Sequence, residues 1–206
     1  MINNKKNLII LASIFLSSCQ YFAYYDSIPI VKAAVFGFDT TPVTEEEFNS
    51  NDFSFIVASL KKGKEARFVL SAIEESGLER WVGVNGVKIY TFNGVVVKTD
   101  GFDHDFEILN WNKIKLKESN FLVFFSNPNA VFDQSMKPVE VKNAKINFHF
   151  EGSIDVTYIR EQVELKQLSS TKHNLYWMDS RGYTKRTTQF LNPKIPPITI
   201  DFFYKF

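Results

Sequence analysis

The sequence predicts a mainly β protein, an antiparallel β-sandwich or half-barrel with one or two short N-terminal helices. Three observations predict it. Aromatic side chains are abundant, with 21 Phe, 8 Tyr and 3 Trp among 206 residues, and aromatics favour pleated, half-buried surfaces. Many short runs alternate apolar and polar residues with period two and are bounded by Gly, Asn or Asp, the pattern of a strand with one buried face. Asn85-Gly86 and Asn93-Gly94 each separate two such runs, and Asn-Gly is the strongest short hairpin signal because both residues accept the positive φ of a type I′ turn.

In chain order, residues 1–18 read as a signal peptide. Lys5 and Lys6 form a basic start, Leu8 to Leu16 are apolar, and Ser17 and Ser18 are small, the three-part layout of an export signal. The apolar run is much shorter than the roughly 20 residues a membrane-crossing helix requires. Leu16-Ser17-Ser18-Cys19 resembles a bacterial lipobox, in which the cysteine thiol takes a diacylglyceryl group and the chain is cut just before it. Cys19, the only cysteine, is therefore the expected lipid attachment site. Two or three acyl chains hold a protein on a membrane far more firmly than one. The alternative is a free cysteine beside an ordinary signal peptide or a short anchor helix. Gln20 in the following position, where aspartate would signal inner-membrane retention, favours the periplasmic face of the outer membrane.

Residues 19–51 are expected to be a leader. Asp26 to Phe38 could form one short helix, and Thr44-Glu45-Glu46-Glu47 matches a capping box opening another. Residues 52–206 are expected to form a single antiparallel β domain. Strands are predicted from Ala66 to Ile73, Leu78 to Val82, Val87 to Phe92, Val95 to Thr99, Phe121 to Ser126, Lys145 to Phe150 and Ser153 to Leu168. Asn174 to Asp179 and Tyr183 to Leu191 flank the turn Ser180-Arg181-Gly182, and an edge-like strand from Ile198 to Phe206 follows Pro196-Pro197.

Composition narrows function. A formal charge of +1, with no basic block, argues against nucleic acid, because phosphate binding depends on clustered Lys and Arg. Catalytic signatures are missing: there is no G-x-S-x-G, H-E-x-x-H or glycine-rich phosphate loop. His104 in Asp103-His104-Asp105 is expected in a solvated turn, since neighbours on a strand point to opposite faces and loop acids are usually hydrated. His149 is expected on a strand with its ring satisfied, and His173 has no evident partner. No catalytic residue, metal ligand or cofactor site is assigned. Trp81 and Trp177 are expected to anchor the core, Asp179 to accept turn amide protons, and Gly182 to supply a backbone conformation other residues avoid.

Several blocks carry a resemblance. Gly63-Lys64-Glu65-Ala66-Arg67-Phe68-Val69-Leu70, Glu79-Arg80-Trp81-Val82 and Phe92 to Phe102 occur in order, followed by Tyr176 to Gly182 and Thr188 to Pro193. With the lipobox they resemble the YjbF/GfcB family of bacterial lipoproteins, encoded with capsule and exopolysaccharide export genes; residues 110 to 150 match poorly. The resemblance implies a non-catalytic accessory lipoprotein in polysaccharide secretion. Its partners would be an outer-membrane barrel, periplasmic proteins of the export system, the membrane through its lipid anchor, and the polysaccharide itself as a weak contact. Only Cys19 carries over as a functional position. Two competing functions are a lipid- or glycan-binding carrier, which requires an apolar tunnel of roughly 300 Å³ or more, and a glycan-modifying enzyme, which requires two facing carboxylates about 5 to 10 Å apart.

Overall fold

The computed structural model describes residues 42–60, 65–114, 119–127 and 129–205. Cys19, the preceding signal-like segment and the helix expected from Asp26 to Phe38 lie outside the described residues.

Twelve antiparallel strands close into one barrel in which each strand pairs with its sequence neighbours and β12 returns to β1. The strands are β1 (Phe55–Leu60), β2 (Glu65–Ile73), β3 (Glu79–Val82), β4 (Lys88–Phe92), β5 (Val95–Asp100), β6 (Phe106–Ile108), β7 (Ser119–Ser126), β8 (Asn129–Phe148), β9 (Gly152–Leu165), β10 (Ser170–Met178), β11 (Thr184–Gln189) and β12 (Ile198–Phe203). Among the described residues one α-helix, α1 (Glu45–Ser50), precedes them.

The expected sandwich or half-barrel is thus corrected to a closed barrel. The closing strand explains the difference. β1 reads Phe-Ile-Val-Ala-Ser-Leu, and its first four residues are buried on both faces, so it lacks the alternation that marks a half-buried strand. Ile56 and Ala58 join the barrel core, while Phe55 and Val57 belong to a second cluster. The final strand also proves not to be an edge: β12 pairs with β1 on one side and β11 on the other.

Both Asn-Gly pairs lie between paired strands, but only the second forms the expected two-residue turn. Asn93 has φ +51 and Gly94 φ +77 in a two-residue turn between paired Phe92 and Val95, whereas Asn85 and Gly86, also at positive φ, belong to a three-residue turn, Val84–Gly86, across which the Gly83 amide donates to the Val87 carbonyl at 2.8 Å. Gly94 is required for space as well, because a Cβ there would come within 2.2 Å of the Thr184 hydroxyl. That contact crosses the molecule, since β5 and β11 stand opposite each other in the ring. Gln189 on β11 accepts the Val96 amide proton at 3.0 Å and donates to the Gly94 carbonyl at 2.8 Å. Thr184 donates to the Asn93 carbonyl at 3.2 Å. A circular barrel of this many strands would be too wide for side chains to fill. Bringing opposite walls together flattens it and closes the interior.

One core results. Trp81, Phe68, Phe125, Tyr176, Ile200 and Phe202 are among its fully buried members. Trp81 donates its indole proton to the Thr91 hydroxyl at 2.8 Å, satisfying the one polar atom that its burial would otherwise strand. Trp177 does not share this role. It lies half-buried on the outer face, registered against Tyr158 with ring centroids 5.6 Å apart, and its neighbour Tyr176 fills the core instead.

A second layer covers part of the outer face. The far end of the β8–β9 hairpin, with its turn His149–Glu151, packs with α1 over β1 and β12. Phe148 sits 5.3 Å from Phe203, Phe203 stacks on Phe55 at 4.8 Å, and Phe48 of α1 meets Phe150 at 5.2 Å. Thr44 caps the helix by accepting the Glu47 amide proton at 3.1 Å, as the capping box predicts. Glu47 completes no reciprocal bond to Thr44 in the described contacts; its carboxylate pairs with Arg67 on β2.

Candidate functional site

Among the described residues four places gather polar or unusual side chains, and Cys19, the site expected from the sequence, lies outside them. The first is the outer cap. Arg186 and Asp201 are registered neighbours on β11 and β12, and the guanidinium donates to both carboxylate oxygens at 2.5 and 2.8 Å. His149 approaches the same carboxylate with Nε2 at 2.8 Å, while its Nδ1 accepts the Val43 amide proton at 3.1 Å. Accepting at Nδ1 leaves the proton on Nε2, so the imidazole links the segment entering α1 to the barrel wall as a neutral ring. Burial alone would raise the Asp201 carboxyl, but the bonds from Arg186 and His149 outweigh it and hold it below the usual carboxylate range. Glu65, close by on β2, is raised by burial and by the Asp201 charge. His149 was expected on a strand; it sits in the turn at φ +43, with its ring satisfied as expected.

Two further clusters lie inside the barrel. Glu161 on β9 is 4% exposed and accepts from the Tyr176 hydroxyl at 3.0 Å and the Asn174 amide at 3.3 Å. Burial pushes the Glu161 carboxyl and the Tyr176 phenol upward. Glu79 on β3 accepts from Thr91 at 2.6 Å and from Tyr204 at 2.8 Å, and burial raises its carboxyl too. Sequence reasoning missed both. A signal existed: Glu161 falls on the inward phase of the alternation with Ile159, Val163 and Leu165, and Glu79 on that of Trp81. An acid in phase with core residues marks a buried carboxylate.

The fourth place is a pocket of about 30 Å³ at one end of the barrel, lined by Leu60, Thr99, Phe102, His104, Leu191, Ile195 and Ile198. His104, expected in a solvated turn, is 5% exposed and its Nδ1 is buried with no hydrogen-bond partner. The turn hides it because Asp105 folds back to accept the Gly101 and Phe102 amide protons at 3.1 and 3.2 Å. The flanking acid therefore builds the turn, and the histidine is turned inward. His173 is exposed on β10 in register with Gln162. Asp179 accepts the Arg181 and Tyr183 amide protons, both at 3.0 Å, and Gly182 has φ +87, the turn roles expected of them.

Among the described residues no group of three or more His, Cys, Asp or Glu side chains is placed to hold a metal ion. No described helix is long and apolar enough to cross a membrane.

A known structure shares this architecture. The crystal structure of the hypothetical lipoprotein YmcC from Escherichia coli K12 superposes with a TM-score of 0.68 at 17% identity, covering 81% of this chain and 91% of that one. The uncharacterized lipoprotein YjbF of Escherichia coli K12 is 24% identical over 174 residues, which is 80% of this chain and 82% of YjbF. A family model described as group 4 capsule polysaccharide lipoprotein gfcB, YjbF matches residues 30–203, and over that span the chain belongs to the YjbF family of capsule polysaccharide lipoproteins.

Proposed function

We propose that the protein is a membrane-anchored, non-catalytic accessory lipoprotein of capsule or exopolysaccharide export, held by Cys19 at the periplasmic face of the outer membrane. The match to the capsule polysaccharide lipoprotein family over residues 30–203 carries this reading. The filled, flattened interior supports it over a lipid carrier. An acyl chain needs a tunnel of several hundred Å³, whereas Gln189 and Thr184 tie the opposite walls together across the middle. The two interior acids support it over a glycan-modifying enzyme, because Glu79 and Glu161 are each engaged by phenol and hydroxyl or amide donors within separate networks of the wall. Tethering raises the effective concentration of the barrel at a membrane partner, which gives the lipid a function in export. The partners would be an outer-membrane barrel and periplasmic proteins of the same system.

Deleting the gene should lower polymer at the cell surface, and Cys19→Ser should reproduce most of that loss by removing the acylated thiol. Purified protein should leave the polymer intact. Release of sugar fragments by the purified chain, abolished by Glu79→Gln or Glu161→Gln, would replace this reading with an enzymatic one.

A further inference from the structure

We propose that Trp177 and the side chains registered beside it on the outer face of β8, β9 and β10 form a binding face for an acidic sugar chain, an inference that rests on the polysaccharide reading and gives it a site and a ligand class. Lys142 on β8 lies opposite Tyr158 on β9, and Tyr158 lies opposite Trp177 on β10. The three therefore stand in one row across the strands, with opposite side chains starting roughly 5 Å apart. Their chain neighbours Ile159 and Tyr176 are buried in the core, so the row itself looks outward. Tyr158 and Trp177 are half-buried and Lys142 is exposed. The two rings stand 5.6 Å apart, and the Lys142 ammonium lies over Tyr158, 5.2 Å from its centroid. On the same face, two residues along, Glu140 lies opposite Arg160 and Arg160 opposite Leu175.

The chemistry of these rows selects the occupant. An indole face is flat, apolar and electron-rich. A pyranose ring presents polarised C–H groups to such a face while its hydroxyls radiate into water, so stacking leaves few polar groups to desolvate. Half-buried Leu175 extends the apolar floor beside the indole. The charge selects among sugars. Glu140 meets Lys142 at 2.7 Å and Arg160 at 3.4 Å, so one carboxylate serves two cations and one positive charge is left over. On the other side of Trp177 the registered Arg186 is already matched by Asp201, which puts the unmatched charge on the β8–β9 side. Arg160 stands diagonal to Trp177, about 7 to 8 Å away at the backbone, a span its side chain covers. The carboxylate of a uronic acid stacked on Trp177 can therefore meet the exposed Arg160 guanidinium, whose fork suits that group. A neutral sugar gains only the stacking.

The test is isothermal titration of the purified full-length protein with hexagalacturonate and, in parallel, with neutral maltohexaose. The acidic oligomer should bind saturably and about tenfold more tightly than the neutral one, the scale of one charge-assisted contact. Raising the salt from about 50 to about 500 mM should remove most of that difference by screening. Trp177→Ala should weaken binding of the acidic oligomer about tenfold, the scale of losing an aromatic face. Arg160→Gln, at an exposed position, should erase the preference for acid and provides the test if the tryptophan variant melts early. Binding that Trp177→Ala leaves unchanged, equal affinity for the two oligomers, or no saturable heat up to the solubility of the ligand would each overturn the proposal. In the last case, loss of surface polymer in strains carrying the two variants would assign the face to a protein partner instead. Because the deletion strain reports on export with no added sugar, loss of the sugar-binding reading and loss of the export reading give different results.

Discussion

Asp201 and Glu161 are carboxylates buried on opposite sides of the barrel wall, and their neighbours move them in opposite directions. Asp201, beneath the outer cap, meets a guanidinium and an imidazole N–H, and these outweigh the cost of burial so that its carboxyl lies below its ordinary range. Glu161, inside, meets only a phenol and an amide, and burial dominates so that its carboxyl lies above that range. Burial raises both; a cation decides which effect wins. The signs of their pH dependence follow. A lowered carboxyl contributes stability that is present above its unfolded value of about 4 and is lost as pH falls through the folded value. A raised one favours its protonated form, so its contribution weakens as pH rises from about 4 through the folded value. The cap depends on charge, and the interior does not.

The largest expected effect tests the cap. Arg186→Met leaves Asp201 buried without its guanidinium, and breaking one side of a buried pair costs about 3 to 5 kcal/mol. Denaturant melts at neutral pH should show this loss, and the double variant with Asp201→Asn should recover most of it, because no uncompensated charge remains. An unchanged midpoint in Arg186→Met would mean that the cap opens to water and that the contrast with Glu161 is unsound.

The tryptophans sharpen the same inside-outside contrast. Trp81 is fully buried with its N–H bonded to Thr91, and Trp81→Ala should cost about 3 to 5 kcal/mol through the cavity it leaves. Trp177 lies half-buried on the outer face against Tyr158, so Trp177→Ala should cost only about 1 kcal/mol, the scale of an aromatic pair. Thermal melts of the two variants side by side decide it; equal losses would place Trp177 in the structural core after all.

That pair also shows how far the sequence could be read. Alternation and Asn-Gly turns located most hairpins, because each depends on neighbours in sequence. Alternation alone could not say which of Tyr176 and Trp177 points inward, since both are large, aromatic and adjacent. β1 escaped because a strand covered on both faces has no period, and without it the ring could not be seen to close. The long strand β8 was read only from Lys145, as its middle, around the irregularity between Pro138 and Glu140, is exposed or half-exposed on both faces. The polar clusters were hidden for another reason: Asp201 meets His149 across 52 residues and Tyr204 meets Glu79 across 125, so their partners are set by topology. His104 was misjudged because flanking acids suggest hydration, whereas Asp105 spends its carboxylate on the turn's own amides.

The smallest effect concerns Glu161. Glu161→Gln keeps an oxygen that can accept from Tyr176 and Asn174 while removing the charge that burial disfavours. Replacing a buried ionic group by a neutral one of similar shape is commonly neutral or stabilising, and here a gain of about 1 kcal/mol is expected. The gain should be absent below about pH 4, where the carboxyl is protonated in both the folded and the unfolded chain, and should grow as pH rises above that value, because burial then opposes ionisation in the folded protein alone. Denaturation midpoints of the two proteins across that range provide the check. A variant that is less stable than the native chain at pH 8 would mean that the ionised carboxylate is favoured in place, and that an interior cluster of dipoles can stabilise charge as well as the arginine and histidine of the cap.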